Sequence, residues 1–391
     1  GCAISEKMRA QIRGLSQAQN NTADGVSVLN TAEGAITEIQ SMLTRLKELS
    51  VQAANDVNSD DEREAIQKEI EQINNEIDRI SDQTEFNTQS LINGNLSRRV
   101  YSDLQGVNQI SVSDSYTAGV YGITVTEDAR QAIAVGAGSI TMSSTAYITE
   151  EQAGAINING YKISISEGDT LDKVMGKIID GVNITGGSAF TVKDLNNDTA
   201  ANGTDYAGYV PTADYAGSTL VIMTNQYGSD QKMNITCDNA ELADILGIPQ
   251  AATQDGIYVE GSDVKAEIAT GDDGKRIGFA DSAILSTKGT VITVTDVNNK
   301  EFSMDVPGNA AGTVFDDSNN DGQSAAGAGT AKTISQEVTD VGTMSIHVGA
   351  NQDQVIVIDI PAITTYSLGT EHMNVMTQYT ASRAISTVDE A

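Results

Sequence analysis

The 391 residues carry 23 Lys and Arg against 54 Asp and Glu, a formal net charge of −31. That balance repels nucleic acid and anionic membrane surfaces, so neither is expected as a partner. Only 4% of residues are aromatic and none is Trp, so any core must come from Ile, Val, Leu, Ala and Met, and the length suits two or three domains.

The abundance of Gly, Asn, Ser, Thr and Asp suits a secreted, surface-exposed bacterial protein. Two cysteines, Cys2 and Cys237, give neither a disulfide framework nor a clustered metal site and read as free thiols. The sequence shows no cationic, apolar leader and no apolar run of membrane-spanning length.

From Ile4 to about Ala54 the spacing predicts one long helix. Ile4, Met8, Ile12, Leu15, Val26, Leu29, Ile36, Ile39, Leu43, Leu46 and Leu49 fall at intervals compatible with three and four. Gly14, Gly25 and Gly34 each cost it roughly 1 kcal/mol relative to Ala, so it needs neighbouring helices. Its length is about 75 Å at 1.5 Å per residue, a rod and not a globule. Asn58, Ser59, Asp60 and Asp61 break it, and Ser59 with Glu62 forms an S-x-x-E capping box for a second helix to about Ile80. The stripe of that helix is Ile66, Ile70, Ile73, Ile77 and Ile80, spaced as a coiled-coil seam requires, and the two helices are expected to pack antiparallel.

After Phe86 the texture becomes β-rich. Tyr121, Ile123 and Val125 alternate as one strand, and Ile156, Ile158, Ile163 and Ile165 as a pair. Leu171, Val174, Met175, Ile178 and Ile179 mark a short helix after Gly168 and Asp169, and Glu241–Leu246 another that stops at Gly247 and Pro249. With Leu220–Met223 as a central strand, these make an α+β module of roughly 100 residues. A hairpin is expected from Thr290–Val297 through Asn298 and Asn299 to Phe302–Val306. Gly308–Lys332 reads as a mobile surface loop, with order returning at Met344. Ser345–Val348 and Val355–Ile360 form two strands about the Gly349–Gln354 turn, and a last helix begins near Thr377.

Several segments resemble one known family. AISEKMRAQIRG (3–14), DGVSVLNTAEGAI (24–36), RLKELSVQAAN (45–55) and EIDRISDQTEFN (76–87) are similar to the amino-terminal core of bacterial flagellins, in that family's order and spacing. VGANQDQ (348–354) resembles its β-hairpin turn, and 377–391 the start of its carboxy-terminal helix. INGYKISISEGDTLDKVMGKIID (158–180) is similar to a repeat module found in many flagellins and in related cap and hook-associated proteins, which implies an outward-facing decoration domain.

In the family, further segments precede Ala3 and continue past Ala391. The resemblance therefore implies a trimmed core that stays soluble and monomeric, and places the two cysteines as unusual. It also implies other flagellin subunits, an export chaperone, a cap protein and an innate immune receptor of animal hosts as partners, and an extracellular flagellar filament as location. The receptor face would comprise Arg45, Glu48, Leu49 and Gln52, with Glu69 on the facing helix, and the same residues could instead contact neighbouring subunits. Lys47 stands where many members carry Arg, and the two differ at bidentate contacts.

No catalytic constellation is visible, and no cofactor is expected. Two histidines, His347 and His372, sit in no metal motif, and H-E-x-x-H, the P-loop and G-x-S-x-G are absent. Asp316, Asp317 and Asp321 lack the spacing of a calcium loop. The expected fold is α+β: a long antiparallel coiled-coil rod with a β-hairpin and inserted β-rich outer domains. It divides as 1–140, 141–255, 256–342 (with the loop 308–332) and 343–391. The alternatives are a flagellar cap or hook-associated protein, against which the amino-terminal segments argue, and a surface adhesin, which predicts a saturable ligand for 140–340 alone.

Overall fold

The computed structural model describes residues 23–86, 88–193, 211–308, 310–311, 330–347 and 355–391. The chain is α+β. Helix α1 (Ala23–Ala53) and helix α2 (Asp60–Gln83) come first. The expected apolar positions Ile4 to Leu15, with Cys2 and Gly14, lie outside the described residues, and α1 as described spans about 46 Å at 1.5 Å per residue.

Leu29, Ile36, Ile39, Leu43, Leu46 and Leu49 of α1 and Ile66, Ile70, Ile77 and Ile80 of α2 are buried in one core, with Ile73 partly buried beside them. Val26, expected on that stripe, is instead exposed, because Val28 and Ala32 take the inward positions. The Ser59–Glu62 capping box is present with both reciprocal bonds. Arg45 bonds Glu69, while Arg63, buried, donates to the carbonyls of Ala53 and Asn55, both at 3.1 Å. Numbers fall along one helix as they rise along the other, so α1 and α2 are antiparallel. Arg63 also supplies the cation and donors that the end of α1, lacking glycine, needs.

Beyond α2 lie the short strands β1 (Glu85–Phe86) and β2 (Gln89–Ser90), then β3 (Val100–Ser102), β4 (Asn108–Val112), β5 (Gly119–Glu127) and β6 (Gln131–Ser139). A hairpin of β7 (Gly154–Ile158) and β8 (Tyr161–Ile165) follows, turned at Asn159 and Gly160, both with positive φ as a tight turn demands. Helix α3 (Leu171–Ile184) packs on it, and only a glycine fits at 181, where a Cβ would come within 2.5 Å of Ile163. Next come β9 (Gly187–Val192), β10 (Thr219–Tyr227), β11 (Lys232–Cys237), helix α4 (Ala240–Leu246, closed by left-handed Gly247) and β12 (Ile257–Glu260).

Two sheets result, β6-β10-β9 and β12-β11-β7-β8. β10 is central, and the shared core takes in residues from Ala132 to Val259, including strands on both sides of 141–255.

The third core lies between the sheets β13-β5-β17-β3 and β14-β15-β16-β4, where β13 is Lys265–Ile268, β14 Ile284–Lys288, β15 Val291–Asp296, β16 Lys300–Asp305 and β17 Lys332–Val338. Asn298 and Asn299, both at positive φ, turn β15 into β16 as expected. Tyr116, Tyr121, Phe279 and Phe302 pack with ring centroids 5.1–6.0 Å apart, concentrating scarce aromatic surface where two small sheets must be held together.

One reading is corrected here: regular structure is present ahead of Met344, from Lys332, because β17 is interior to its sheet. Most of 308–332 lies outside the described residues, but at its near end Ala311 is buried and its N–H donates to Asp128.

The return to the first core runs through β18 (Met344–His347) and β19 (Val355–Ile358), paired antiparallel, with the turn 349–354 outside the described residues. Short helix α5 (Thr365–Leu368) was not anticipated. Helix α6 (Gln378–Glu390), N-capped by Thr377, lies against α1 through the buried, mostly small residues Ala381, Ala384 and Val388.

A buried ion pair joins this core to the aromatic one. Arg98 Nε donates to Asp359 at 3.1 Å while its other nitrogens reach the carbonyls of Tyr116 and Ser113. Burial pushes the Asp359 carboxyl up to about 6, against the pull of Arg98. The folded chain therefore holds this proton more tightly than the unfolded chain, and the contribution of Asp359 to stability declines as pH rises from about 4 to about 6. Urea unfolding across that range should show the stability of the unaltered protein, relative to D359N, falling by up to about 1.4 kcal/mol per pH unit. A difference that does not vary with pH would contradict this.

Gly34 lies on the exposed side of α1, with nothing within 4 Å of an added Cβ. Gly34→Ala should accordingly raise stability by about 0.5–1 kcal/mol in the same experiment.

Candidate functional site

Arg45, Glu48 and Gln52 sit three and four residues apart on α1, which puts them on one exposed helical face. Glu69 of α2 completes the group. Arg45 donates through NH2 and Nε to Glu69 Oε1, at 2.9 and 3.2 Å, and through NH1 to Glu48 at 3.3 Å. These hydrogen bonds, that of Glu69 foremost, hold the guanidinium still further above its ordinary range. Lys47, one step round the helix, pairs with Asp389 of α6 at 2.6 Å.

Leu49 does not share this face. It is 1% exposed and packs into the first core, because 46, 49 and 53 continue the apolar stripe of α1. It supports the face from behind.

Alongside lies an open groove of about 540 Å³, bordered by Gln52, Val57, Asn58, Glu62, Ala65 and Glu69. Val57 is 81% exposed at its rim. Sequence reasoning left Val57 unremarked and read Asn58 only as part of a helix break. The available signal was an apolar residue inside an otherwise polar turn.

The chemical candidates stay apart. His372 Nε2 lies 3.6 Å from its neighbour Glu371, and among the described residues no group of three His, Cys, Asp or Glu could hold a metal. The side chain of His347, the acidic trio Asp316, Asp317 and Asp321, and Cys2 lie outside what is described. Cys237 is buried, with burial pushing its thiol up, so it packs as a small apolar group and is a poor nucleophile. No described helix is long and apolar enough to cross a membrane.

Residues 1–97 match the family model described as the bacterial flagellin N-terminal helical region. The chain is 37% identical over 201 residues to a flagellin of Clostridium tyrobutyricum, covering 44% of this chain and 53% of that protein. Over 294 residues it is 31% identical to a flagellin of Salmonella typhimurium, covering 71% of this chain and 55% of the relative. It thus spans about half the length of these relatives. Among solved structures, the D1-D2-D3 domains of the flagellar cap protein of Escherichia coli align at 14% identity over 78% of this chain and 63% of that one, with a TM-score of 0.32, too slight a likeness to assign the outer domains.

The two sides of α1 should respond differently to truncation. Leu49→Ala is expected to lower stability by about 2–5 kcal/mol through loss of core packing, whereas Gln52→Ala, on the exposed face, should change it by no more than about 0.5 kcal/mol. Equal effects in denaturant unfolding would place Leu49 wrongly.

Proposed function

We propose that the chain is a bacterial flagellin and a structural subunit of the flagellar filament, working by self-assembly outside the cell and not by catalysis. The observation that carries this reading is that the amino-terminal flagellin match falls on helices with apolar residues turned inward and a charged, polar exterior. Such helices suit a rod that packs side by side with copies of itself, in the heterologous, non-closing manner that makes filaments.

In this reading α1, α2 and α6 form the coiled-coil rod with the β18–β19 hairpin. The unit around α3 and α4 and the unit around the aromatic cluster are outer domains. The division at 141 and 256 then shifts outward to include β6 and β12, whose strands complete the sheets of the first outer unit. Arg45, Glu48, Gln52 and Glu69 contact neighbouring subunits or a flagellin-sensing host receptor, with Leu49 holding their backbone rigid. An export chaperone and the filament cap are further partners. The strong negative charge keeps subunits soluble before assembly.

Seeded polymerisation tests the proposal. The full-length protein that contains this sequence, added to short filament seeds, should elongate them in negative-stain electron microscopy. Seeds that stay at their starting length, with the protein folded by circular dichroism, would refute the subunit role.

A further inference from the structure

The sequence holds three Asn-Gly pairs, at 93–94, 159–160 and 202–203, the last outside the described residues. Such pairs carry a latent reaction. The backbone nitrogen of a glycine, with no Cβ beside it to obstruct approach, can attack the side-chain carbonyl carbon of the asparagine before it. The two described pairs differ in whether the fold leaves that reaction open.

Asn159 is held at both ends of its amide. Nδ2 donates to the Lys232 carbonyl at 3.2 Å and Oδ1 accepts from the Asn234 N–H at 2.8 Å, which pins the side chain to β11. Attack requires swinging the amide over its own backbone, and that breaks both bonds.

Asn93 lies between β2 and β3 and is half-buried. Among the described residues its Nδ2, the leaving group, and the Gly94 N–H, the nucleophile, meet no hydrogen-bond partner. Oδ1 accepts from the Asn95 N–H at 3.1 Å. That donor faces the oxygen on which negative charge develops when the carbonyl is attacked, so the bond this side chain does make favours the reaction.

We propose that Asn93-Gly94 is a self-modification site, converting to aspartate and isoaspartate without an enzyme, and that the isoaspartate loosens the seam between this segment and the returning chain. The deprotonated Gly94 nitrogen bonds to Asn93 Cγ, the Cγ–Nδ2 bond breaks, and ammonia leaves with the proton as a cyclic imide closes. Water then opens the ring at either carbonyl. Cleavage at Cγ restores the ordinary backbone as aspartate, cleavage at the main-chain carbonyl routes the backbone through Cγ as isoaspartate, and nothing is oxidised or reduced.

The lengthened backbone falls between bonds of fixed spacing. The Ile92 carbonyl accepts from the Ile363 N–H at 2.8 Å and from the Ser81 hydroxyl at 3.1 Å, and the Leu96 carbonyl accepts from the Ile360 N–H at 3.1 Å. Ile92 and Leu96 are themselves buried in the first core, so neither end can slide to absorb the change without disturbing close packing.

The test incubates the folded whole chain at neutral and at mildly alkaline pH and follows its peptides by mass spectrometry, with fragmentation that separates aspartate from isoaspartate. Asn93 should convert about tenfold or more faster than Asn159, the factor that breaking two hydrogen bonds imposes on the latter. Both products should appear at 93, at a rate that rises with pH as the Gly94 amide loses its proton. In urea the two sites should convert at similar rates, and Asn93→Gln, which can close only a larger ring, should suppress conversion at 93. In the isolated isoaspartate fraction the Ile360 and Ile363 amides should exchange hydrogen faster than in the unconverted chain. Equal rates at 93 and 159 in the folded chain, conversion to aspartate alone, or unchanged protection of both amides would overturn the proposal.

Discussion

The returning chain is held to α2 by three polar side chains, and the first core depends on that closure. Asp78 accepts from the N–H and hydroxyl of Thr365, Asn74 donates to Thr370, and Gln67 clamps Met373 and Val375. These partners are 287 to 308 residues apart in sequence. Closing a flexible loop of that size costs about 5 kcal/mol by the logarithmic rule, before any constant term. Isolated hydrogen bonds of about 1 kcal/mol each could not hold it. The closure stands because each β-rich unit has its own core and shortens the effective loop, and because Ile358, Ile360, Ile363 and Val375 bury themselves with the helices.

The same economy explains the joints. Arg98 and Asp359 couple the first core to the aromatic one, and Asn374 meets the carbonyl of Ile184 at the edge of the α3 unit. Lys288 reaches both Asp230 and Glu390, so the end of α6 is drawn electrostatically to the β-structure around Lys288. Most buried apolar side chains fall within one core or another, while these joints are polar. Units joined in this way keep separate hydrophobic interiors.

What the sequence conveyed follows from this division. The isoleucine stripe of α2, the Ser59 cap, the Asn298-Asn299 turn and the Gly247 stop are local signals, each decided within a few residues, and each was legible. The strand Lys332–Val338 was not. Its inward positions are Ile334, Gln336 and Val338, and the buried glutamine in the middle breaks the apolar alternation that marks a strand. Leu49 was legible as an apolar position of α1, but its assignment to the exposed face came from resemblance, and the 3.6-residue period decides against it. Gln67, Asn74 and Asp78 went unremarked, because nothing near them in sequence reveals partners that arrive almost three hundred residues later.

The exposed face of α1 presents its cation already engaged. Arg45 is shared between Glu48 and Glu69, all three side chains being roughly half exposed, and surface pairs of this kind contribute about 0–1 kcal/mol. A partner can therefore take Arg45 from them at little cost, provided it brings a carboxylate or an aromatic face in exchange. It would then leave Glu48 and Glu69 to be met by donors of its own. On the proposed role of this face as an interface, its specificity would rest on matching the whole triad. The rigidity that lets a triad be matched comes from the buried neighbours Leu46 and Leu49, which fix the helix beneath it.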